Sequence, residues 1–593
     1  MFASTGWFMI RRASLFSTST LLATLLASGL VGTGCKGRAI GGESDDGDTE
    51  GDSPDTPLPS IRDVDVLFVI DNTFSTGEEQ GKFAASLGAF VSVLEDPALD
   101  LNYRIAFTTS DVGNPRCDGT TPEKGSFVYA SCRDRLADFV SLDLSTDAGA
   151  FACTDRCTKS SAELGITADS EPWLEVFEGA ANLPAGVTTV EALECLAPQG
   201  INGCGFESHL EAMNLALLRT ESQGQPESGF VRDNALLAIV VLTDEADCSY
   251  HEGLADEIFV DNPVFWYDGP GALPYSTSAL CWNAGVKCVD NGGALDCEPA
   301  DYGLDGTEID DPLLAEDQAV LHPVSRYIAR VQGIENVKKG ANRNQEVVVA
   351  LIGGVGDDGR PLYQNSPDID YMANFGIGPG CSAVAESSTP CGSDADCTGF
   401  GTNTCSPQGY CVAEQTGIPP VRLAAFTESF TQDAMFSICN PSLDDALVGV
   451  AERIIEPMVD ELITGCYNDC AADRDPSTPQ LVDADCSVFE IVDDTETEMV
   501  ECRRDPGGNG YVINDIGDYT MPDDATVVCY AQLGDAGGTT PSTSDDLDPE
   551  CKAYGYNLSF AVVRRRGFPA PQGAAATVRC EPSEQPSVDC PNL

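Results

Sequence analysis

The chain has 593 residues, 95 of them acidic and 32 basic, for a formal charge of −63. That charge excludes nucleic acid and anionic lipid headgroups as main partners, because both need a basic face. The length exceeds one ordinary core, and 42% hydrophobic content is enough for two or three compact units.

Arg11 and Arg12 precede a run of apolar and small residues from Leu15 to Val31, followed by Gly32-Thr33-Gly34-Cys35. This is the layout of a secretory signal over residues 1–34. The run is too short, and too rich in Ser, Thr and Gly, for a membrane anchor. Small residues just before a cysteine make the segment resemble a bacterial lipoprotein signal. The resemblance implies acylation at Cys35 and attachment to the cell envelope through lipid alone, with a secreted protein if Cys35 is not lipidated. Setting Cys35 aside leaves 24 of the 25 cysteines, an even number suited to pairing in an oxidising compartment. Residues 35–60 read as an acidic, disordered tether, since Gly41–Pro57 holds no apolar side chain to bury.

Val64–Ile70 reads as a strand whose Val66–Ile70 is a continuous apolar run, the pattern of a strand buried on both faces. Phe83, Leu87, Phe90, Val91 and Leu94 then recur at helical spacing. Tyr103–Thr109 reads as a second strand, and Leu210, Met213 and Leu217 mark another helix. Leu236–Leu242 and Val347–Ile352 are two further buried strands, with a helix expected between them at about Pro323–Val331. A last helix is expected over Leu443–Ile455, capped by Ser442 with Asp445 placed as in a capping box. Strands alternating with helices imply an α/β fold, a doubly wound and mainly parallel sheet, over residues 61–465.

Ligands of such sheets bind beyond the carboxyl ends of the strands. Asp71, Thr73 and Ser75 follow the first strand, and Asp244 follows the strand at Leu236–Leu242. Carboxylates and hydroxyls without sulfur or imidazole suit a hard divalent cation, magnesium first, with calcium or manganese as alternatives. Such an ion keeps a position open for water or for a carboxylate from a partner.

The segment resembles a von Willebrand factor A domain, whose metal-ion-dependent adhesion site is built on Asp-x-Ser-x-Ser, a Thr in a second loop and an Asp in a Thr-Asp-Gly turn. Asp71, Thr73 and Ser75 match the first element and Thr243-Asp244 the last, while Phe74 and Glu245 depart from the pattern. The second-loop ligand falls near Gly203–His209, where Ser208 offers a hydroxyl and Glu207 a carboxylate. Over about residues 62–465 the chain is similar to cysteine-rich bacterial lipoproteins carrying this domain and a Leu-Thr-Asp-Glu-x-Asp-Cys turn, here Leu242–Cys248.

Insertions are expected at about residues 249–318, with Cys281, Cys288 and Cys297, and at about 356–420, with a four-cysteine module from Cys391 to Cys411. Residues 466–593 carry eight cysteines among β-prone runs and read as a disulfide-rich, mostly β domain. Arg564-Arg565-Arg566 reads as charge balance.

Catalytic patterns are weak. Only His209, His251 and His322 are available, without zinc-binding spacing. Ser208 and His209 are neighbours in sequence and do not face each other on a helix. Asp301–Gly306 begins like a calcium loop but has Pro312 where a Glu ligand is needed. The chain is therefore expected not to be an enzyme. It reads as an envelope lipoprotein that grips an acidic group on a protein or glycan through a bound cation. The alternatives are a structural envelope protein with a degenerate, metal-free site, and a metal-dependent hydrolase.

Overall fold

The computed structural model describes residues 39–40, 56–57 and 63–590, the last stretch with short interruptions, chiefly at 342–346 and within 460–589. The signal segment, Cys35, most of residues 35–60, and Arg566 lie outside the described residues.

Seven strands form the central sheet: β1 (Asp63–Ile70), β2 (Asn102–Thr109), β3 (Leu174–Phe177), β4 (Ala180–Ala181), β5 (Leu236–Leu242), β6 (Val347–Gly353) and β7 (Met435–Ser437). Their order is β7-β6-β5-β1-β2-β3-β4. The five strands from β7 to β2 are parallel, and β3 and β4 add an antiparallel edge. The result is a mixed, mostly parallel sheet.

Alternate residues of each central strand enter two different cores, which is why the apolar runs are continuous rather than alternating. On one face Val66, Phe68 and Ile70 of β1 pack against α1 (Gly77–Leu94), α2 (Thr189–Leu196) and α6 (Asp444–Val459). On the other face Leu67 and Val69 meet α3 (His209–Glu221), α4 (Val324–Ala341) and α5 (Val421–Glu428). Phe68 anchors the first core, its ring 5.3 Å from both Phe83 and Phe107 and 5.7 Å from Phe90. Truncating such a side chain to Ala costs about 3–5 kcal/mol.

The helix at Leu443–Ile455 is recorded from Asp444 to Val459, and Ser442 Oγ accepts from Asp444 N at 3.2 Å. The Ser442 hydroxyl thus engages Asp444 two residues on rather than Asp445, so the expected capping box is replaced by this contact. The helix expected at Pro323–Val331 continues to Ala341.

The insertions carry structure of their own. In the first, Cys281 pairs with Cys248, and Cys288 pairs with Cys297 across a two-stranded ribbon. In the second, Cys381–Pro390 pairs antiparallel with Tyr410–Gly417, and the four-cysteine module closes as Cys391–Cys405 and Cys397–Cys411. The eight cysteines from Cys466 onward pair only among themselves. They staple two small sheets, one of five strands and one of four.

Two dipeptides of the expected tether depart from disorder. Ala39–Ile40 pairs with Cys466–Tyr467, and Thr56–Pro57 pairs with Ala575–Ala576. A sheet edge offers backbone donors and acceptors whatever the side chains of the joining strand, so the apolar content of a segment does not decide this pairing. Arg564 forms an ion pair with Glu490, in keeping with charge balance. Among the described residues no helix is long and apolar enough to cross a membrane.

Candidate metal centre

The loop after β1 is shaped around one carboxylate. Asp71 Oδ1 accepts from Thr73 N at 3.0 Å and from Thr73 Oγ1 at 2.7 Å, while Oδ2 accepts from Thr243 Oγ1 at 2.7 Å. The loop is held from below by Gln80, whose Nε2 donates to Asp71 O and to Gly200 O, and whose Oε1 accepts from the backbone of Gln199 and Gly200. Gly203 N donates to Asn72 O at 2.8 Å. A Cβ at Gly203 would stand 2.3 Å from Asn72 Oδ1, so a larger residue here would have to displace the Asn72 side chain.

Asp244 leaves β5, the direct neighbour of β1, and Ser75 Oγ donates to its Oδ1 at 3.3 Å. Ser75 Oγ also lies 3.3 Å from Thr73 Oγ1. The structure thus brings Asp71, Thr73, Ser75 and Asp244 together, as expected from the sequence. All are buried except Ser75, which is half-buried, and Phe74 beside it is 66% exposed.

Ser208 and Glu207 are positioned differently. Ser208 Oγ is buried and donates to Cys248 O at 2.8 Å. Glu207 is also buried, but its Oε2 has no hydrogen-bond partner. Backbone bonds from Ser208 N to Ser110 O and from Cys248 N to Glu207 O lock this loop between the ends of β2 and β5. Disulfides Cys117–Cys204 and Cys248–Cys281 pin the same region.

Several buried carboxyls beyond Asp71 are held above their usual range in this region. Burial, then the charges of Glu245, Asp71 and Asp244, hold the Glu207 carboxyl well above its usual range. Burial, then Asp71, Glu245 and Glu79, do the same to Asp244. Burial and Asp71 raise Glu245 as well. Glu79, in the first turn of α1, is pushed up to about 7 by burial, against the opposing charge of Lys82. Glu245 was visible in the sequence only as a departure from the family turn, yet it adds a carboxylate where that turn has a glycine. Among the described residues no lysine or arginine forms an ion pair with Asp71, Glu207, Asp244 or Glu245. The one imidazole nearby, His209, places Nε2 3.7 Å from Asp71 Oδ2.

Buried carboxylates stay charged only when paired or bound to metal. The donors here are all oxygens, the type that hard divalent cations take, but Asp71, Glu207, Asp244 and Glu245 do not bring three carboxylate oxygens within 4.8 Å of one another.

The sequence matches no protein-family profile and no curated protein. Among solved structures it is similar to the pilus adhesin SpaC from Lactobacillus rhamnosus GG in two crystal structures, one of them an open conformation. The TM-scores are 0.25 and 0.23, with 9% and 10% identity over 88% of this chain. The match spans 40% and 39% of the adhesin, so this chain covers about two fifths of that protein.

Proposed function

We propose that this chain is a cell-envelope protein whose α/β region is a von Willebrand factor A domain binding an acidic group on a protein or glycan partner through a divalent cation. Asp71, Thr73, Ser75, Asp244 and Glu207 would hold the ion, magnesium first, and Ser208 would act by fixing the loop that presents Glu207. The bound ion would supply an open coordination position for a partner carboxylate. The observation that carries this reading is the set of buried carboxylates at the adjacent ends of β1 and β5, with Glu207 Oε2 unpartnered and no lysine or arginine paired to the set among the described residues.

Other features support it. An antiparallel edge on a parallel sheet, with the site where β1 meets β5, suits the family fold. Twelve disulfides use every cysteine except Cys35, which suits an oxidising compartment and leaves Cys35 available for a lipid.

A structural, metal-free site is the competing reading. It is favoured by the hydroxyls of Thr73 and Ser75, which already donate to Asp71 and Asp244. Chelation followed by reloading with magnesium or manganese, with metal analysis, separates the two readings. The adhesion reading expects about one ion per chain, lost in Asp71→Ala without loss of fold. A chain that takes up no ion, or a variant that keeps it, would overturn that reading. A pull-down from envelope extracts with and without magnesium then tests the partner.

A further inference from the structure

Away from the carboxylate site, α3, the start of α4 and the Tyr250–Gly253 turn enclose a half-open cleft of about 630 Å³. That is the size of a small-molecule site. Its charge runs against the rest of the chain. Lys124, Arg219 and Arg326 line it, together with His251 and His322. Of its two acids, Glu211 is engaged by Tyr327 Oη at 2.9 Å and by Arg326 at 3.8 Å, and Glu252 is exposed.

The donors are held in place. Arg219 Nε donates to Lys124 O at 3.1 Å, and its Nη1 to Gln225 Oε1 at 3.2 Å. Arg326 Nη1 donates to Glu316 Oε1 at 2.8 Å. The two imidazoles lie 5.0 Å apart, tilted by 38°. His251 Nδ1 accepts from Gly253 N at 3.2 Å, so a neutral His251 carries its proton on Nε2 and can donate. His322 is only 8% exposed and its Nδ1 is buried without a hydrogen-bond partner. A buried polar atom left unpaired is costly. Among the charges acting on His322, Arg326, His251 and Arg422 disfavour added positive charge, and only Asp247 opposes them. The remaining wall is apolar, with Val112, Leu215 and Leu218, the last of them 42% exposed.

We propose that this cleft binds a small organic carboxylate, its head among Arg219, Arg326 and the two imidazoles and its apolar body against Leu215, Leu218 and Tyr250.

Because the chain has only three histidines, the test is direct. Imidazole proton–nitrogen correlation spectra of the full chain are recorded during titration with 4-phenylbutyrate, with 4-phenylbutyramide and with 4-phenylbutylamine. The proposal expects saturable shifts of the His251 and His322 signals with the carboxylate alone, and a stationary His209 signal. Arg326→Gln, at a partly exposed position, should weaken the interaction by about tenfold, the effect of losing one charge-assisted hydrogen bond. Lys124→Ala, at an exposed side chain, gives a second variant that should also weaken binding. The proposal is overturned if the carboxylate fails to saturate at millimolar concentration. It is equally overturned if the amide or the amine binds as well, or if both folded variants bind with unchanged affinity.

Discussion

Ser75 Oγ donates to Asp244 Oδ1 across 3.3 Å, joining loops that lie 169 residues apart in the chain. The contact exists because β1 and β5 are parallel neighbours, with Ile70 opposite Leu242, so both strands end at one level. Every oxygen of the candidate metal centre is delivered by that register or by the loop running from Gly203 to Ser208.

The choice between the two second-loop residues can be measured. Glu207→Gln should abolish magnesium-dependent stabilisation while leaving the fold intact. Ser208→Ala should retain it and lower stability by about 1 kcal/mol, through the lost hydrogen bond to Cys248 O. Thermal midpoints with and without magnesium decide the matter. The assignment fails if Ser208→Ala loses the response and Glu207→Gln keeps it.

Arg422 and Asp247 form a fully buried ion pair, with Nε 3.0 Å from Oδ2, and Arg422 Nη2 also donates to His322 O at 2.7 Å. Replacing Arg422 by Met should cost about 3–5 kcal/mol, because Asp247 is left charged and buried without its cation. Urea unfolding of Arg422→Met gives the value. A loss under about 1 kcal/mol would show that Asp247 is satisfied by Ser249 and Leu210 alone.

His322 makes stability depend on pH. Burial, Arg326, His251 and Arg422 lower it from 6.5 to about 3. Between those values the unfolded chain binds a proton that the folded chain refuses, so this contribution to stability is lost as pH falls from about 6.5 toward 3. Urea midpoints from pH 7 to pH 4 should fall more steeply for the native chain than for His322→Gln. Parallel slopes would remove His322 as the cause.

The C-terminal region should depend on its disulfides more than the α/β region does. Its cores are small, and Cys470–Cys590 closes a loop with a sequence separation of 120. Replacing both cysteines by Ser should cost about 4–5 kcal/mol in the loop-entropy picture. Limited proteolysis should then cut beyond residue 466 while the α/β region resists. Equal resistance in both regions would argue against separate stability.

The four central strands were legible in the sequence nearly to the residue. Leu236–Leu242 matches β5 end to end, and Val64–Ile70 falls one residue short of β1. These strands are largely buried on both faces, so each carries a local apolar run, unbroken in β5 and over Val66–Ile70 of β1. The edges β3, β4 and β7 were not legible, because strands of two to four residues are fixed by pairing to a neighbour rather than by their own pattern.

Asp71, Thr73, Ser75 and Asp244 could be named from the sequence, since each directly follows a recognisable strand. The sequence also determined that the cysteines other than Cys35 could all pair. Only the tertiary structure decided which pairs form, that the Ser208 hydroxyl is taken up by Cys248 O, and that Glu207 and Glu245 are buried. Those outcomes depend on where loops distant in sequence meet, and the meeting is set by strand order and by close approaches such as Gly203 on Asn72, which no local pattern encodes.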